Sequence, residues 1–336
     1  MPLKYYGMTI EPAAVVTLGS AVSDIHVLAV AKTSPLLAPQ LAAAFTVHDR
    51  LHQADPKALA AVAPKIRGIA ASGESRVGAE LIGQLPALEI ISVMGVGYDG
   101  VDVAAAKARG VMVTHTPGVL NDDVADLAIG LMLCAARQLP AADRYVRDGS
   151  WAKGPMPLAR KMSGARLGLV GIGRIGQAIA TRALAFGMSV AYTARHAREE
   201  LPYDFHPTPA ALAAASDFLV IITPGGAGPR KLIDAQVLAA LGAKGILVNV
   251  ARGAVVDEAA LVDALERGLI AGAGLDVFEA EPNVPERLRA MPHVVLSPHI
   301  GSATSETRQA MADLAFANLR EHFAGRPHPT PVPECR

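Results

Sequence analysis

Three short segments in the last third of the chain hold side chains able to bind anions and move protons. Arg252 lies in "NVARG", Asp276 and Glu281 lie in "LDVFEAEP", and His299 lies in "SPHIG". Each follows a short apolar run, "ILVNV", "AGAGL" or "VVLSP". Such runs read as strands, and open α/β sheets bind ligands outside the carboxyl ends of their strands. A permanent cation, two acids and an imidazole are therefore expected along one sheet edge. An arginine fork suits a carboxylate beside a carbonyl. An imidazole gives or takes a proton near neutral pH. Taken singly, each has a plainer reading: a surface ion-pair arginine, a satisfied loop histidine, an aspartate capping a turn. The joint pattern is what points to chemistry.

Upstream, "GLVGIGRIG" sets Gly171, Gly173 and Gly176 in a G-x-G-x-x-G spacing. The first glycine permits a tight turn, the second lets a pyrophosphate approach the backbone, and the third lets the helix pack on the strand. The motif alone is weak. Here "ARLGLV" reads as a strand before it and "RIGQAIATRALAFG" as a helix after it, which is the setting a dinucleotide site needs. Arg174 and Ile175 then open the helix whose N-terminus would meet the phosphates. The next strand, "MSVAYT", ends in Arg195, His196 and Arg198. An NAD-binding chain usually places an acid there for the ribose hydroxyl. An acid would repel a 2′-phosphate, whereas arginine matches its geometry. NADP(H) is the expected preferred cofactor, with NAD(H) usable; the plainer reading is a solvated basic loop.

These groups need a frame. At 336 residues the chain suggests about two domains. Its hydrophobic fraction is 51%, mostly small aliphatic residues, which suits parallel sheets buried on both faces. Candidate strands are "IHVLAV", "IRGIAA", "LEIISV" and "VMVTH", then "RLGLVG", "MSVAYT", "DFLVIIT", "GILVNV", "AGAGLDV" and "HVVLSP". Helix candidates lie between them, including 174–186 and a segment N-capped by Asp257. The expected fold is α/β: two Rossmann-like, doubly wound parallel-sheet domains with the cleft between them. Residues 1–117 with 305–336 are expected to form a substrate-binding, flavodoxin-like domain, and 118–304 the dinucleotide domain. "NDDVADLAIGLMLCAARQLPAADRYV" (121–146) reads as one long helical stretch, and 305–323 as a helix returning to the first domain. Residues 1–23 read as an extension, with Met8 an alternative start.

Formal charge is zero, which gives no steering towards nucleic acid or anionic lipid. Two cysteines, Cys134 and Cys335, lack metal-ligand spacing, so no metal is expected, and they fit a reducing cytoplasm. No apolar run has spanning length and no signal peptide is read.

From roughly residue 65 to 325 the chain resembles the D-isomer-specific 2-hydroxyacid dehydrogenases. "GLVGIGRIGQAIA", "LVNVARGAVVDEAALVDAL", "GAGLDVFEAEP" and "LSPHIGSAT" stand in that family's order and spacing. "GVGYDGVDVAAAKARGVMVTHTPGVLNDDVADLAIGLML" and the basic second-strand end are similar to its glyoxylate/hydroxypyruvate reductase branch. The resemblance implies that Arg252 binds the substrate's carboxylate and carbonyl oxygen, that His299 is the general acid/base, and that Glu281 is its carboxylate partner. Asp276, with Val250 and Gly301, would stand near the nicotinamide, as would Thr223 and Pro224 in a loop that departs from the family pattern. "SGESRVGAEL" resembles the loop whose backbone N–H groups receive the substrate carboxylate, bringing in Val77 and Gly78 with Ser75 and Arg76 beside them, and Gly97 nearby.

The chemistry agrees with these roles. Reducing a 2-keto acid needs hydride on carbon and a proton on oxygen, and a carboxylate beside His299 favours the imidazolium and fixes its ring. Small acids such as glyoxylate or hydroxypyruvate are the expected substrates. Met94, Tyr98 and Trp151 leave room for a larger acid such as 2-ketogluconate, phenylpyruvate or hydroxyphenylpyruvate. The rival class is a non-enzymatic NAD(H)-sensing module. A homodimer is expected, with Trp151, the only tryptophan, either buried in its interface or reaching a neighbouring site.

Overall fold

A computed structural model describes residues 4–5, 8–9, 24–223 and 231–336 of the chain. Residues 4–5 and 8–9 pair as a short antiparallel ribbon. The remaining strands form two wholly parallel sheets. The first contains β1 (His26–Ala29), β2 (Thr46–Asp49), β3 (Ile66–Ser72), β4 (Ile90–Met94) and β5 (Met112–Thr114), in the order β2-β1-β3-β4-β5. The second contains β6 (Arg166–Val170), β7 (Ser189–Thr193), β8 (Asp204–Phe205), β9 (Phe218–Ile221), β10 (Ile246–Asn249), β11 (Gly272–Leu275) and β12 (Val294–Leu296), in the order β8-β7-β6-β9-β10-β11-β12. Both are doubly wound, with strand order reversing at β1/β3 and at β6/β9, the places where such sheets open a crevice. Helices cover both faces, so central strands are apolar without alternation; all four residues of β9 and of β10 are buried.

Five helices matter for the site: α1 (Asn121–Arg137), α2 (Leu139–Arg147), α3 (Arg174–Ala185), α4 (Glu258–Glu266) and α5 (Ser305–Phe323). α1 packs on α3 and on the β10–β12 side of the second sheet. Gly274 of β11 makes that close, because a Cβ there would meet Leu131 of α1 at 2.9 Å. Arg182 of α3 pairs with Asp122 and Asp126 of α1 across the outer edge. α4 is N-capped by Asp257, whose carboxylate accepts from the Ala260 amide. α5 starts beside the second sheet and runs back across the first: Ser92 of β4 donates to the Ala315 carbonyl at 2.9 Å, and Gly68 of β3 lies against Leu319 and Phe323. The tail then borders β5, with the Val332 amide donating to the Val113 carbonyl and the Val332 side chain fully buried.

Three differences from the sequence reading stand out. The stretch 121–146 is two helices, not one, bent 58° apart at a left-handed Gln138. Pro140 has no N–H for the carbonyl of Ala136, which takes the Arg160 amide at 2.9 Å instead. β2 and β8 are additional strands at sheet edges; "TVHD" is only half-buried and "DF" is two residues long, so neither shows an apolar run. The bent segment and its continuation expose large apolar side chains: Leu139, Val146, Trp151 (67%) and Leu158 (100%). No single described helix is long and apolar enough to cross a membrane.

Candidate functional site

The dinucleotide fingerprint sits at the β6/β9 reversal. Gly171 has φ +104°, and a Cβ there would press on the Ile222 carbonyl at 2.9 Å, so the β6 turn can pass Ile222 and Thr223 only as glycine. Gly176 is equally confined, since its Cβ would meet the Gly171 carbonyl oxygen at 2.6 Å. Gly173 precedes the twelve-residue α3 and faces open space. A tight glycine turn, an unobstructed approach and a helix N-terminus together form a cradle that fits a pyrophosphate. Arg174 is exposed and Ile175 half-buried at its rim, and Thr223 borders it from β9. Pro224 lies outside the described residues.

At the end of β7, Arg195 and His196 are exposed and, among the described residues, neither has a side-chain partner. Arg198 is held more firmly. Its amide donates to the buried Tyr192 hydroxyl at 2.6 Å, its Nε pairs with Glu200 at 2.6 Å, and Nη1 reaches the Ile172 carbonyl inside the fingerprint at 3.5 Å. The basic strand end is thereby tied to the glycine turn.

The acid/base centre is built on the loops after β11 and β12. His299 has a left-handed backbone, φ +53°, which a non-glycine residue adopts only when its surroundings impose it. Asp276 imposes it. Asp276 is 1% exposed; its carbonyl accepts the His299 amide, and its carboxylate accepts from Ser297 Oγ and from the Ile300 and Gly301 amides. Both Asp276 oxygens are thus spent bracing the histidine loop. The Glu281 carboxylate accepts the Phe278 amide at 2.9 Å through Oε1 and lies 2.8 Å from His299 Nδ1 through Oε2. Nδ1 facing a carboxylate carries the proton, so Nε2 is the nitrogen left for a reactant.

Arg252 follows β10, after the nearly buried Val250. Asn249 ties the turn by accepting the Ala251 amide and donating to the Arg252 carbonyl. Gly253 lets this turn touch the Glu281 loop, because any side chain there would fall on the Phe278 carbonyl. The guanidinium extends towards the first sheet. Nε donates to Asp99 at 2.9 Å, Nη1 to the Ala251 carbonyl at 2.7 Å, and Nη2 lies against Gly97, where a Cβ would overlap it.

The first sheet contributes the loop after β3. Ser75 is buried and accepts the Ser72 amide through Oγ. Arg76 is exposed, Val77 buried and Gly78 exposed. The expectation that Val77 offers its backbone N–H is corrected: that group already donates to the Gly100 carbonyl at 2.8 Å, because Val77 bridges to Val101. Among the described residues, the amides of Arg76 and Gly78 have no such backbone partner. Tyr98 is engaged within the first sheet's end of the cleft. Its hydroxyl donates to Glu334 and its ring packs edge-on against His115, while burial, and then the Glu334 carboxylate, push the phenol up to about 12. Met94 is nearly buried.

Two residues absent from the sequence reading belong to this cleft. Asp99 holds Arg252, and Glu74 Oε1 lies 3.4 Å from His299 Nδ1. Asp99 stands two residues beyond Gly97, and Glu74 adjoins Ser75, so both lie in segments that the family resemblance had brought in, although strand reading alone does not show which groups of the other sheet they face.

The profile of the D-isomer specific 2-hydroxyacid dehydrogenase NAD-binding domain matches residues 129–301. A glyoxylate/hydroxypyruvate reductase A of Arabidopsis thaliana is 49% identical over 267 residues, 80% of this chain and 85% of that protein. A 2-ketogluconate reductase of Gluconobacter oxydans is 44% identical over 310 residues, 92% of this chain and 99% of that one. Among solved structures, an NADPH-dependent glyoxylate/hydroxypyruvate reductase from Sinorhizobium meliloti, in complex with NADP and malonate, superposes with a TM-score of 0.88. It is 48% identical, with 93% of this chain and 98% of that chain covered.

Proposed function

Since the chain belongs to the D-isomer-specific 2-hydroxyacid dehydrogenase family, we propose that it reduces a small 2-keto acid of the glyoxylate/hydroxypyruvate type to the D-2-hydroxy acid with NADPH. The observation that carries this reading is the imidazole of His299, held at Nδ1 by Glu281 at 2.8 Å with Nε2 left over, on the same cleft as the Arg252 fork. Arg252 binds and polarises the keto acid, aided by the amides of Arg76 and Gly78 at its carboxylate. His299 Nε2 gives its proton to the carbonyl oxygen, and Glu281 stabilises the imidazolium beforehand. A bound nicotinamide supplies the hydride to the carbonyl carbon. Gly171, Gly173 and Gly176 with the start of α3 would hold the pyrophosphate, Thr223, Val250 and Gly301 would border the nicotinamide, and Arg195, His196 and Arg198 would hold the 2′-phosphate. The relative solved with NADP supports this cofactor choice. Asp276 acts through the histidine loop that it braces.

The test is NADPH oxidation with a keto-acid panel. Rapid turnover of glyoxylate or hydroxypyruvate is expected. Tight cofactor binding without turnover of any 2-keto acid would favour the sensing module instead. A second reading, reduction of a sugar-derived acid such as 2-ketogluconate, is supported by the relative covered over nearly its whole length; the same panel ranks the two.

We also propose that residues 1–117 with 305–336 form the substrate domain and 118–304 the dinucleotide domain. The protein is proposed to work as a cytoplasmic homodimer, whose interface would cover the apolar side chains of 139–158, Trp151 included.

A further inference from the structure

Two carboxylates face one nitrogen of His299, and they come from opposite sides of the cleft. Glu281, on the loop after β11, stands 2.8 Å from Nδ1 and is fixed by the Phe278 amide. Glu74, on the loop after β3 of the other sheet, stands 3.4 Å from the same atom. Its side chain is 74% exposed. The histidine side is rigid, because Asp276 clamps both its backbone and the two residues after it. The Glu74 side is coupled directly to the substrate loop: Glu74 precedes Ser75, whose hydroxyl accepts the Ser72 amide at 2.8 Å, and Val77 is pinned to Gly100 and Asp102. A pull on Glu74 is a pull on the loop that receives the carboxylate.

We propose that Glu74 is a positioning residue that draws the substrate loop onto protonated His299 and lets it go once the histidine has given up its proton. The idea rests on His299 being the proton donor of the proposed reduction. With imidazolium present, Glu74 and His299 carry opposite charges across the cleft and hold it closed. When Nε2 passes its proton to the carbonyl oxygen and the carbon takes the hydride, the ring becomes neutral and keeps only its Nδ1 proton, which Glu281 accepts at the shorter distance. The cross-cleft attraction falls at that moment, which favours opening and product release. The other charged groups around His299 do not switch in this way: Glu281 stays fixed on its own loop, the Asp276 carboxylate is turned to Ser297 and the Ile300 and Gly301 amides, and Arg252 is paired with Asp99.

The experiment compares Glu74→Gln with the wild type at pH 6 and pH 9, measuring KM for the best keto acid and, independently, the Kd of oxamate in the presence of NADP. Glu74→Gln should raise both constants about threefold at pH 6, the size an exposed pair supports, with the two proteins converging at pH 9. Asp99→Asn supplies the contrast, because the Arg252–Asp99 pair does not include His299, and its effect should not converge. A ratio for Glu74→Gln that is the same at both pH values, or equal to one at both, overturns the proposal while leaving the reductase reading intact. Converging oxamate constants in a protein that turns over no keto acid would keep the link and sink the reductase reading.

Discussion

Arg252 and Asp99 meet across the cleft, the guanidinium Nε donating to the carboxylate at 2.9 Å. One residue follows a strand of the second sheet and the other a strand of the first. The pairing orients the fork: with Nε and Nη1 engaged, Nη2 lies against Gly97 with no hydrogen-bond partner among the described residues. Asp99 therefore aims the cation.

Gly97→Ala tests that aim. A methyl group at this position would occupy the space of the Arg252 guanidinium, and the arginine must swing away. Misplacement of about 1 Å at a reacting centre costs on the order of 100-fold. A fall of that size in kcat/KM for the keto acid is expected, with the Kd of NADPH near that of the wild type. Unchanged kcat/KM would show that the fork does not act from its observed position.

Removing the imidazole should strike turnover rather than binding. His299→Ala is expected to lower kcat by about 100-fold or more, the usual share of a positioned acid, while NADPH affinity stays nearly intact. Glu281→Gln should cost less, since Gln keeps a hydrogen-bond acceptor for Nδ1 but loses the charge that favours imidazolium. Equal activity of His299→Ala and wild type would remove the histidine from the reaction.

What the sequence made legible follows how local each feature is. The glycine turn is a contact of Gly171 with Gly176 and of both with the neighbouring Ile222, and a spacing rule captures most of it. Arg252, Glu281 and His299 come together because adjacent parallel strands end on one edge, which strand reading alone anticipates. Glu74 and Asp99 were not legible in that way. Their partners lie on the other sheet, and which loops face each other depends on how the two sheets meet. The Val77 amide has a partner of the same distant kind: Gly100 belongs to the loop after the next strand. Pro140 did signal the break after α1, but the apolar periodicity running to either side of it outweighed the signal.

Stability should decline as the medium becomes mildly acidic. Burial holds His115 below its ordinary 6.5, against a smaller opposing effect of the Val96 carbonyl. Burial, and then a neighbouring histidine, do the same to His48 and His328. Below 6.5 the unfolded chain binds protons that the folded chain resists, so stability is complete above 6.5 and is lost as pH falls towards the lowered values. The Tm is expected to drop by a few degrees between pH 7.5 and 5.5. His115→Asn should reduce that drop, and an identical drop in both proteins would mean that His115 is not a source of it.

Cofactor choice turns on the end of β7. Arg195 is exposed and has no side-chain partner among the described residues, whereas Arg198 is anchored through Tyr192 and Glu200 and reaches the Ile172 carbonyl of the glycine turn. A 2′-phosphate arriving at this strand end meets one prepositioned guanidinium and one free to fold over it, whereas a 2′-hydroxyl gives neither a charge to bind. Arg195→Ala should therefore raise the KM for NADPH about tenfold, within the range of one charge-assisted hydrogen bond, and leave the KM for NADH nearly unchanged. Arg198→Ala should hurt both cofactors, because its loss also loosens the loop beside the fingerprint. Adding an acid, Arg195→Asp, should go further and invert the preference, since a carboxylate there accepts from the ribose hydroxyl and repels the phosphate. Equal kcat/KM with NADPH and NADH in the wild type would show that the basic strand end is only a solvated loop.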